Sequence, residues 1–423
     1  MFDSIDSVVE DGTARKTSVS ALTVAVALFN ALIYATSRYV PEYLRATGAH
    51  PVVIGLFGSV VMLLAVLYPY LGSYVRDRFD GLGTRHLIGG LVSLGLFCWL
   101  VAPQLGRLWA IPTWGYVVVG AVLVGTWRSV GFGTTVASAG DGWLYGQESD
   151  LLPVDEPVQF IGLVGAILLL VGVLNSVSDF VAGFQVVLAL AASLGATVTA
   201  LLYCSDVRPG RVSSRTLDGP LAVVSNLRSI PRRLRPLLVG DTLIRFALGM
   251  IAVFVIVTVT SVLRVEAHVL GYRLGPSAFF GVLMLVEISV ALAASVPAAR
   301  FSSETGRNAI VLLSALASAS FPLLLIGVPA TPLAVGILFV VFGLRFAGRP
   351  ARRELIDVEL DDGEGAGSAG SYRLVRDILA VPSALTGGVL YAISPSLAFM
   401  LSTIVGVIGL RELMEFTIRP HVD

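Results

Sequence analysis

The sequence predicts an all-α membrane protein with twelve transmembrane helices in two pseudo-symmetric six-helix bundles. Composition supports this class, because 55% of the 423 residues are hydrophobic and only 14% are charged, whereas soluble domains carry about a quarter charged residues. The mean hydropathy is +0.84. The apolar residues fall into segments near the roughly 20 residues that cross about 30 Å of hydrocarbon. A segment in lipid must satisfy its own backbone hydrogen bonds, so each is expected to be helical.

The apolar segments can be divided into twelve spans in chain order. The first span follows a charged tail and is too long to be the core of a signal peptide, so it is expected to be retained. The predicted spans are Val19–Tyr39, Val52–Tyr74, His86–Ala102, Thr113–Val136, Val158–Asn175, Phe180–Cys204, Leu237–Leu263, Pro276–Ala299, Asn308–Val328, Pro332–Gly348, Asp377–Ile393 and Pro395–Phe416.

One long polar interval divides the spans into two sets of six. It contains seven arginines and only two aspartates. The predicted organisation is therefore a cytoplasmic N-terminal tail, an N-terminal six-helix bundle, a basic cytoplasmic linker, a C-terminal six-helix bundle and a cytoplasmic tail. In the same order, their residues are 1–18, 19–204, 205–236, 237–416 and 417–423.

The distribution of basic residues predicts the orientation. With the N-terminus in the cytoplasm, the inner loops and tails contain 21 arginines and lysines and the outer loops contain five, if Arg411 and Arg38, near the ends of their spans, are counted with the adjoining tail and loop. Cytoplasmic loops of membrane proteins carry the excess of basic residues. The chain is therefore expected to be a multi-pass protein of the cell membrane with both termini in the cytoplasm.

The two sets of spans also resemble each other in sequence. Arg128-Ser-Val-Gly131 lies late in the fourth span, and Arg345-Phe-Ala-Gly348 lies at the matching place in the tenth. A six-span repeat in one orientation is typical of transporters built from two bundles. Chance similarity between apolar helices is the alternative.

The loop between the second and third spans contains a partial motif of glycine, aspartate and arginine. It reads Gly72-Ser-Tyr-Val-Arg-Asp77-Arg78. A weaker copy begins at Arg300, and Arg128 precedes two glycines late in the fourth span. With twelve spans, cytoplasmic termini and a long central loop, these motifs resemble the major facilitator superfamily over essentially the whole chain.

The resemblance implies secondary active transport of a small-molecule solute by alternating access, with two bundles rocking about a site near the middle of the membrane. It also implies a cytoplasmic gate, whose residues are Gly72, Asp77, Arg78, Arg300 and Arg345. Arg128 is a candidate for the substrate or proton pathway and is expected to pair with Asp77, closing one side of the cavity. Snorkelling to the cytoplasmic interface is the alternative. The Gly-Pro motif of the family's antiporters is missing from the fifth span.

Glu287 is the candidate at the centre of the membrane. It follows Pro276 by 11 residues, which at 1.5 Å per residue places it about 16 Å into a core roughly 30 Å thick. A carboxylate at this depth by default marks a substrate or proton pathway. A structural ion pair between two helices is the alternative. Arg345, about 20 Å from Pro332 along its own span, is expected to snorkel toward the cytoplasm.

Polar residues in two other spans are further pathway candidates. Asn30 lies about 16 Å into the first span, and Tyr34 and Arg38 follow at helical spacing, which predicts a stripe facing the substrate. Hydrogen bonding between helices is the alternative. Asp241 and Arg245 lie four residues apart and are expected to pair with each other, unless Arg245 reaches the cavity.

These features favour a transporter over an enzyme. The four histidines and two cysteines show no spacing typical of a metal site, so neither metal nor cofactor is predicted. The expected partners are a small-molecule solute, protons coupled through Glu287, and membrane lipid. Nucleic acid is not indicated, and a monomer is expected. A polytopic membrane enzyme, or a sensor on a transporter-like scaffold, is the alternative function.

Overall fold

The computed structural model describes the backbone of residues 3–78, 81–109, 111–129, 157–204, 234–269, 271–298, 304–349, 351–352, 354–355 and 365–418. Within these ranges, side chains are described at 24–68, 87–109, 111–127, 160–204, 234–269, 271–294, 306–349, 351–352, 354–355 and 371–417. Most of the predicted basic linker, at 205–233, lies outside the described residues, as does 419–423 of the predicted C-terminal tail.

The N-terminal half consists of α-helices. The first extends from Asp3 and therefore includes most of the predicted tail. It also continues beyond the predicted end at Tyr39. The helices are α1 (Asp3–Ala46), α2 (Pro51–Arg78), α3 (Gly81–Leu108), α4 (Thr113–Gly125, followed by a 3-10 turn at Thr126–Ser129), α5 (Pro157–Ser176) and α6 (Phe180–Cys204).

The C-terminal half is helical apart from one hairpin. Its helices are α7 (Arg235–Ala252), α8 (Phe254–Val257, followed by a π-helical turn at Thr258–Leu263), α9 (Pro276–Ala298), α10 (Glu304–Gly327), α11 (Pro332–Leu344), α12 (Gly365–Ala380), α13 (Ser383–Ile393) and α14 (Pro395–Ile418). The hairpin pairs β1 (Ala267–Val269) with β2 (Tyr272–Leu274) in antiparallel register. Its turn contains Gly271 at φ +85°, a conformation that glycine adopts without strain. The sequence prediction did not include this hairpin.

Seven helices among the described residues are long and apolar enough to cross a membrane. An eighth span results if α7 is counted together with the segment Phe254–Leu263, to which it is joined at a bend of 45°. Three shorter apolar helices are also present: Thr113–Gly125, Phe160–Ser176 and Pro332–Leu344. The chain is thus an all-α membrane protein, and the described residues do not confirm the predicted number of twelve spans.

The bend after α7 corrects the prediction of one continuous helix over Leu237–Leu263. Beyond the break, the hydroxyl of Thr260 donates to the carbonyl of Ile256 at 2.9 Å, and Ser261 donates likewise to Val257. These bonds belong to the π-helical turn at Thr258–Leu263, which follows the bend between Ala252 and Phe254.

Helices pack first within each half. In the N-terminal half, α1 packs on α5 and α6, and α3 packs on α4 and α6. In the C-terminal half, α7 packs on α12, α13 and α14, α9 packs on α11, and α10 packs on α11 and α14. Small residues allow close approach. For example, a Cβ atom added to Gly240 of α7 would lie 2.8 Å from the carbonyl oxygen of Gly409 in α14.

The two halves meet mainly through α2 on α13, α5 on α9, and α1 on α8. In α2, a Cβ atom at Gly55 would lie 2.5 Å from the oxygen of Ala384 and 2.8 Å from the Cα atom of Gly388 in α13. The hydroxyl of Tyr39 in α1 donates to the carbonyl of Ser277 in α9 at 2.8 Å. These contacts lie toward the end of α1, at the beginnings of α2 and α9, and in the first half of α13. We call this region the closed end.

Candidate functional site

A buried ion cluster joins the two halves at Glu287. The residue is 0% exposed on α9, and each of its carboxylate oxygens accepts from a different arginine. Arg38 of α1 donates from Nη2 to Oε2 at 2.8 Å, and Arg345 donates from Nη2 to Oε1 at 2.6 Å. Arg345 directly follows α11 in the same half as Glu287, whereas Arg38 belongs to the other half. We call these three residues the central triad.

The position of Arg345 corrects the expectation that it snorkels to the interface. Its side chain is 10% exposed, and its guanidinium carbon lies 3.3 Å from the ring centre of Phe342 and 4.1 Å from that of Phe346. A guanidinium over an aromatic ring is stabilised by the ring quadrupole. Phe342 is itself stacked on Phe321 at 3.7 Å between ring centres. Two rings and a carboxylate thus hold Arg345 in the interior.

A second ion cluster lies on α7 and α12 and corrects the predicted pairing of Asp241 with Arg245. Asp241 accepts instead from Arg352 at 2.6 Å and from Arg376 at 3.0 Å. Arg376 also donates to Asp377 at 3.0 Å, and Arg245 forms an ion pair with Asp377 at 3.2 Å. The prediction was wrong because α12 places Asp377 beside Arg245, a contact between distant parts of the chain that helical spacing cannot reveal. We call these five residues the α7–α12 cluster.

Both clusters border one cavity that is partly open to solvent. The N-terminal half contributes Ser37, Arg38 and Pro41 to its walls, and the C-terminal half contributes the rest. The lining includes Phe280 and Phe342 and the apolar face of α7 and α8. Ligand sites are typically concave and mostly apolar, with a few convergent polar groups. The cavity has these features.

The residues of the predicted stripe on α1 have different roles in the structure: Asn30 packs between helices, and Arg38 belongs to the central triad. The indole nitrogen of Trp127 donates to the side-chain oxygen of Asn30 at 2.6 Å, so Asn30 joins α1 to the turn after α4. Tyr34 is buried, one turn before Arg38. Neither Asn30 nor Tyr34 is among the residues that line the cavity, whereas Arg38 is.

The remaining predicted gate residues fall largely outside what is described. Gly72, Asp77 and Arg78 lie in the last turns of α2, where only the backbone is described. Arg128 lies in the 3-10 turn after α4, again without a described side chain. Arg300 lies outside the described residues. The proposed contact between Asp77 and Arg128 therefore stays a prediction.

The structure also brings Arg352, Arg376 and Asp377 into the site, three residues that are not among the candidates predicted from the sequence. Their only signal in the sequence is position, since Arg376 and Asp377 directly precede the apolar run that begins at Ile378. Across the residues that the structure describes, no group of three His, Cys, Asp or Glu side chains could hold a metal ion.

Solved transporter structures resemble this chain in fold. The nucleoside transporter NupG matches with a TM-score of 0.68 at 12% identity, over 94% of this chain and 98% of that one. A POT family transporter in complex with 5-aminolevulinic acid matches with a TM-score of 0.62 at 11% identity, over 94% and 95%. Tetrameric PepTSo2 matches with a TM-score of 0.59 at 15% identity, over 96% and 97%.

No family model and no curated protein matches the sequence. The similarity therefore lies in the fold, and it extends over nearly the whole chain. Nucleoside and POT family transporters share the architecture of the major facilitator superfamily. The chain has the fold of these transporters, as its resemblance to the major facilitator superfamily predicts.

Proposed function

We propose that the chain is a secondary active transporter that moves a small solute by alternating access. The observation that carries this proposal is the central triad, because one carboxylate beside the cavity binds one arginine from each half. Transporters of this architecture work by rocking two bundles about a site between them. An ion pair between the halves beside the cavity can control that movement, because it must break when the halves separate there.

The proposed architecture has twelve transmembrane helices in two pseudo-symmetric bundles. The short helices α4, α5 and α11 supply three further spans, and α1 supplies another. With both termini in the cytoplasm, the closed end faces the exterior. The cavity residues of α7 and α12 then lie toward the cytoplasm, so the structure corresponds to an inward-facing state.

The triad suggests how a proton could be coupled to movement. Arg345 belongs to the same half as Glu287 and moves with it, whereas Arg38 must separate from Glu287 when the closed end opens. Removing one partner from a buried ion pair is costly because a charge is left uncompensated. Protonation of Glu287, or arrival of a charged solute, lowers the cost of this separation. We therefore propose Glu287 as the coupling carboxylate.

Transport by purified protein in liposomes tests the proposal. The measurement is uptake of a panel of labelled nucleosides, dipeptides and small organic acids, with and without an imposed proton gradient. Accumulation of at least one solute that depends on the protein and on the gradient supports the proposal. A protein that retains its thermal stability in liposomes and moves no member of the panel contradicts it. Enzymatic turnover of a panel member without its movement would favour the alternative of a membrane enzyme.

A further inference from the structure

The walls of the cavity contain far more arginine than any other charged residue. Among the residues that the structure describes, its lining includes six arginines and a single carboxylate, that of Asp241. The arginines are Arg38, Arg245, Arg345, Arg349, Arg352 and Arg376.

Two of the three partner carboxylates are not part of the cavity lining. Glu287 and Asp377 bind arginines of the cavity wall but do not line the cavity themselves. A solute that enters therefore meets six arginines and one carboxylate, that of Asp241. Coulomb interactions are strengthened in such a site because water is partly excluded.

The arginines of the α7–α12 cluster are also held in place before any ligand arrives. The side chains of Arg245, Arg352 and Arg376 are 8%, 12% and 2% exposed. Each is fixed by an ion pair of 2.6–3.2 Å to Asp241 or Asp377. A guanidinium has five N–H donors in a planar fork that fits carboxylate and phosphate groups. Preorganised donors lower the entropy cost of binding.

Resting on the transport function proposed above, we propose that the cavity binds a small organic anion. Its carboxylate or phosphate group lies against Arg245, Arg352 and Arg376. Its apolar part packs on the wall formed by Leu248, Ile256 and neighbouring apolar residues. Binding of cationic solutes is disfavoured by the positive charges of the same arginines.

Thermal unfolding of the purified full chain with matched pairs of probes tests this class of ligand. The pairs are benzoate with benzamide, and uridine 5′-monophosphate with uridine, each at constant ionic strength. At least one anion is expected to raise the midpoint of unfolding in a saturable manner, and its neutral partner is not. Equal shifts from anion and neutral partner, or no shift from either anion, overturn the proposal.

Variants of the arginines test where the anion binds. Arg352→Gln removes one charged donor and is expected to weaken binding of the active anion about tenfold or more. Arg352→Lys keeps the positive charge but lacks the planar fork of donors. Its affinity for the anion should lie between that of the unchanged protein and that of Arg352→Gln. The control is Arg273→Gln on the exposed hairpin, where the side chain is 70% exposed, and binding should not change. If Arg352→Gln does not fold, Arg245→Gln and Arg245→Lys make the same comparison, and unchanged affinity in a folded variant overturns the assignment.

The outcomes also separate this inference from the proposed function. Gradient-dependent uptake of a neutral solute, with no binding of either anion, would refute the ligand class and leave transport intact. Saturable anion binding that the arginine variants weaken, without uptake of the bound anion into liposomes, would retain the binding site and refute the transport function.

Discussion

At the residue scale, Glu287 is bound by two arginines with different freedom. Arg345 is fixed by the rings of Phe342 and Phe346 as well as by the carboxylate. Arg38 reaches the same carboxylate from α1, in the other half. The ion pair with Arg345 therefore stabilises the C-terminal half, and the ion pair with Arg38 holds the two halves together.

A double-mutant cycle tests the contact between the halves. Glu287→Gln should lower the free energy of unfolding by about 3–5 kcal/mol, because it leaves two buried arginines without their carboxylate. Arg38→Gln should cost less, because Glu287 keeps its ion pair with Arg345. The double variant should lose clearly less than the sum of the single losses. Glu266→Gln on the hairpin is the control, since its pair with Arg273 is exposed and such pairs contribute about 0–1 kcal/mol. Additive losses would show that Arg38 and Glu287 do not interact.

The same Glu287→Gln variant tests coupling in liposomes. Glutamine has nearly the shape of a protonated glutamate, so a folded variant should still exchange solute across the membrane. Accumulation driven by a proton gradient should be lost. Full accumulation with an unchanged pH dependence would show that Glu287 does not carry the proton.

A substitution at Asn30 distinguishes a role in helix packing from a role in contacting the substrate. Asn30→Ala leaves the buried indole N–H of Trp127 without its acceptor, so the free energy of unfolding should fall by about 1–3 kcal/mol. In a Trp127→Phe background, Asn30→Ala should lower the free energy of unfolding much less, because the indole N–H donor is no longer present. An unchanged stability together with a raised KM for the transported solute would instead support the predicted role in the substrate pathway.

At the element scale, the sequence predicts where helices occur better than where they break or meet. The depth of Glu287 follows from a rise of 1.5 Å per residue after Pro276, and this needs no tertiary information. Its partner Arg38 lies 249 residues away in the chain, a contact that no periodic pattern contains. The break after α7 and the hairpin that follows are local changes of backbone conformation, which mean hydropathy does not register.

The contact between α2 and α13 offers a test of the closed end. A Cβ atom at Gly388 would lie 2.8 Å from the carbonyl oxygen of Pro51 and 2.9 Å from the Cα atom of Gly55. These are backbone atoms that cannot rotate away, so Gly388→Val should force the two helices apart. The expected result is a shift toward a state that is open at this end.

Thiol labelling measures that shift. A cysteine in place of Ser59, whose hydroxyl accepts from the backbone nitrogen of Leu385 at 2.9 Å, should be protected until α2 and α13 separate. Its labelling should rise about tenfold with Gly388→Val, equivalent to a change of about 1.4 kcal/mol in the conformational equilibrium. Gly336→Val on α11 is the matched control, because a Cβ atom there meets nothing within 4 Å. Equal labelling in both variants would show that Gly388 does not hold the closed end.

At the scale of the whole molecule, the two halves meet in two ways. Glycines bring α2 and α13 together at the closed end, whereas beside the cavity the halves are joined by the ion pair of Arg38 with Glu287. A molecule that closes one end while holding charged groups around a central space has the asymmetry that alternating access requires. Which side of the membrane the closed end faces depends on the orientation of the chain.

The orientation of the chain in the membrane can be tested directly. Both termini are predicted to be cytoplasmic, because one set of loops and tails contains 21 basic residues and the other contains five. With Cys98 and Cys204 replaced by serine, single cysteines are introduced at Ser214, Ser368 and Ala330 in intact cells. Ala330 is exposed between α10 and α11 and should react with a thiol reagent that does not cross the membrane. Positions 214 and 368 should react only with a permeant reagent, since basic loops remain in the cytoplasm. Reaction of position 214 with the impermeant reagent, and protection of position 330, would invert the topology and place the closed end toward the cytoplasm.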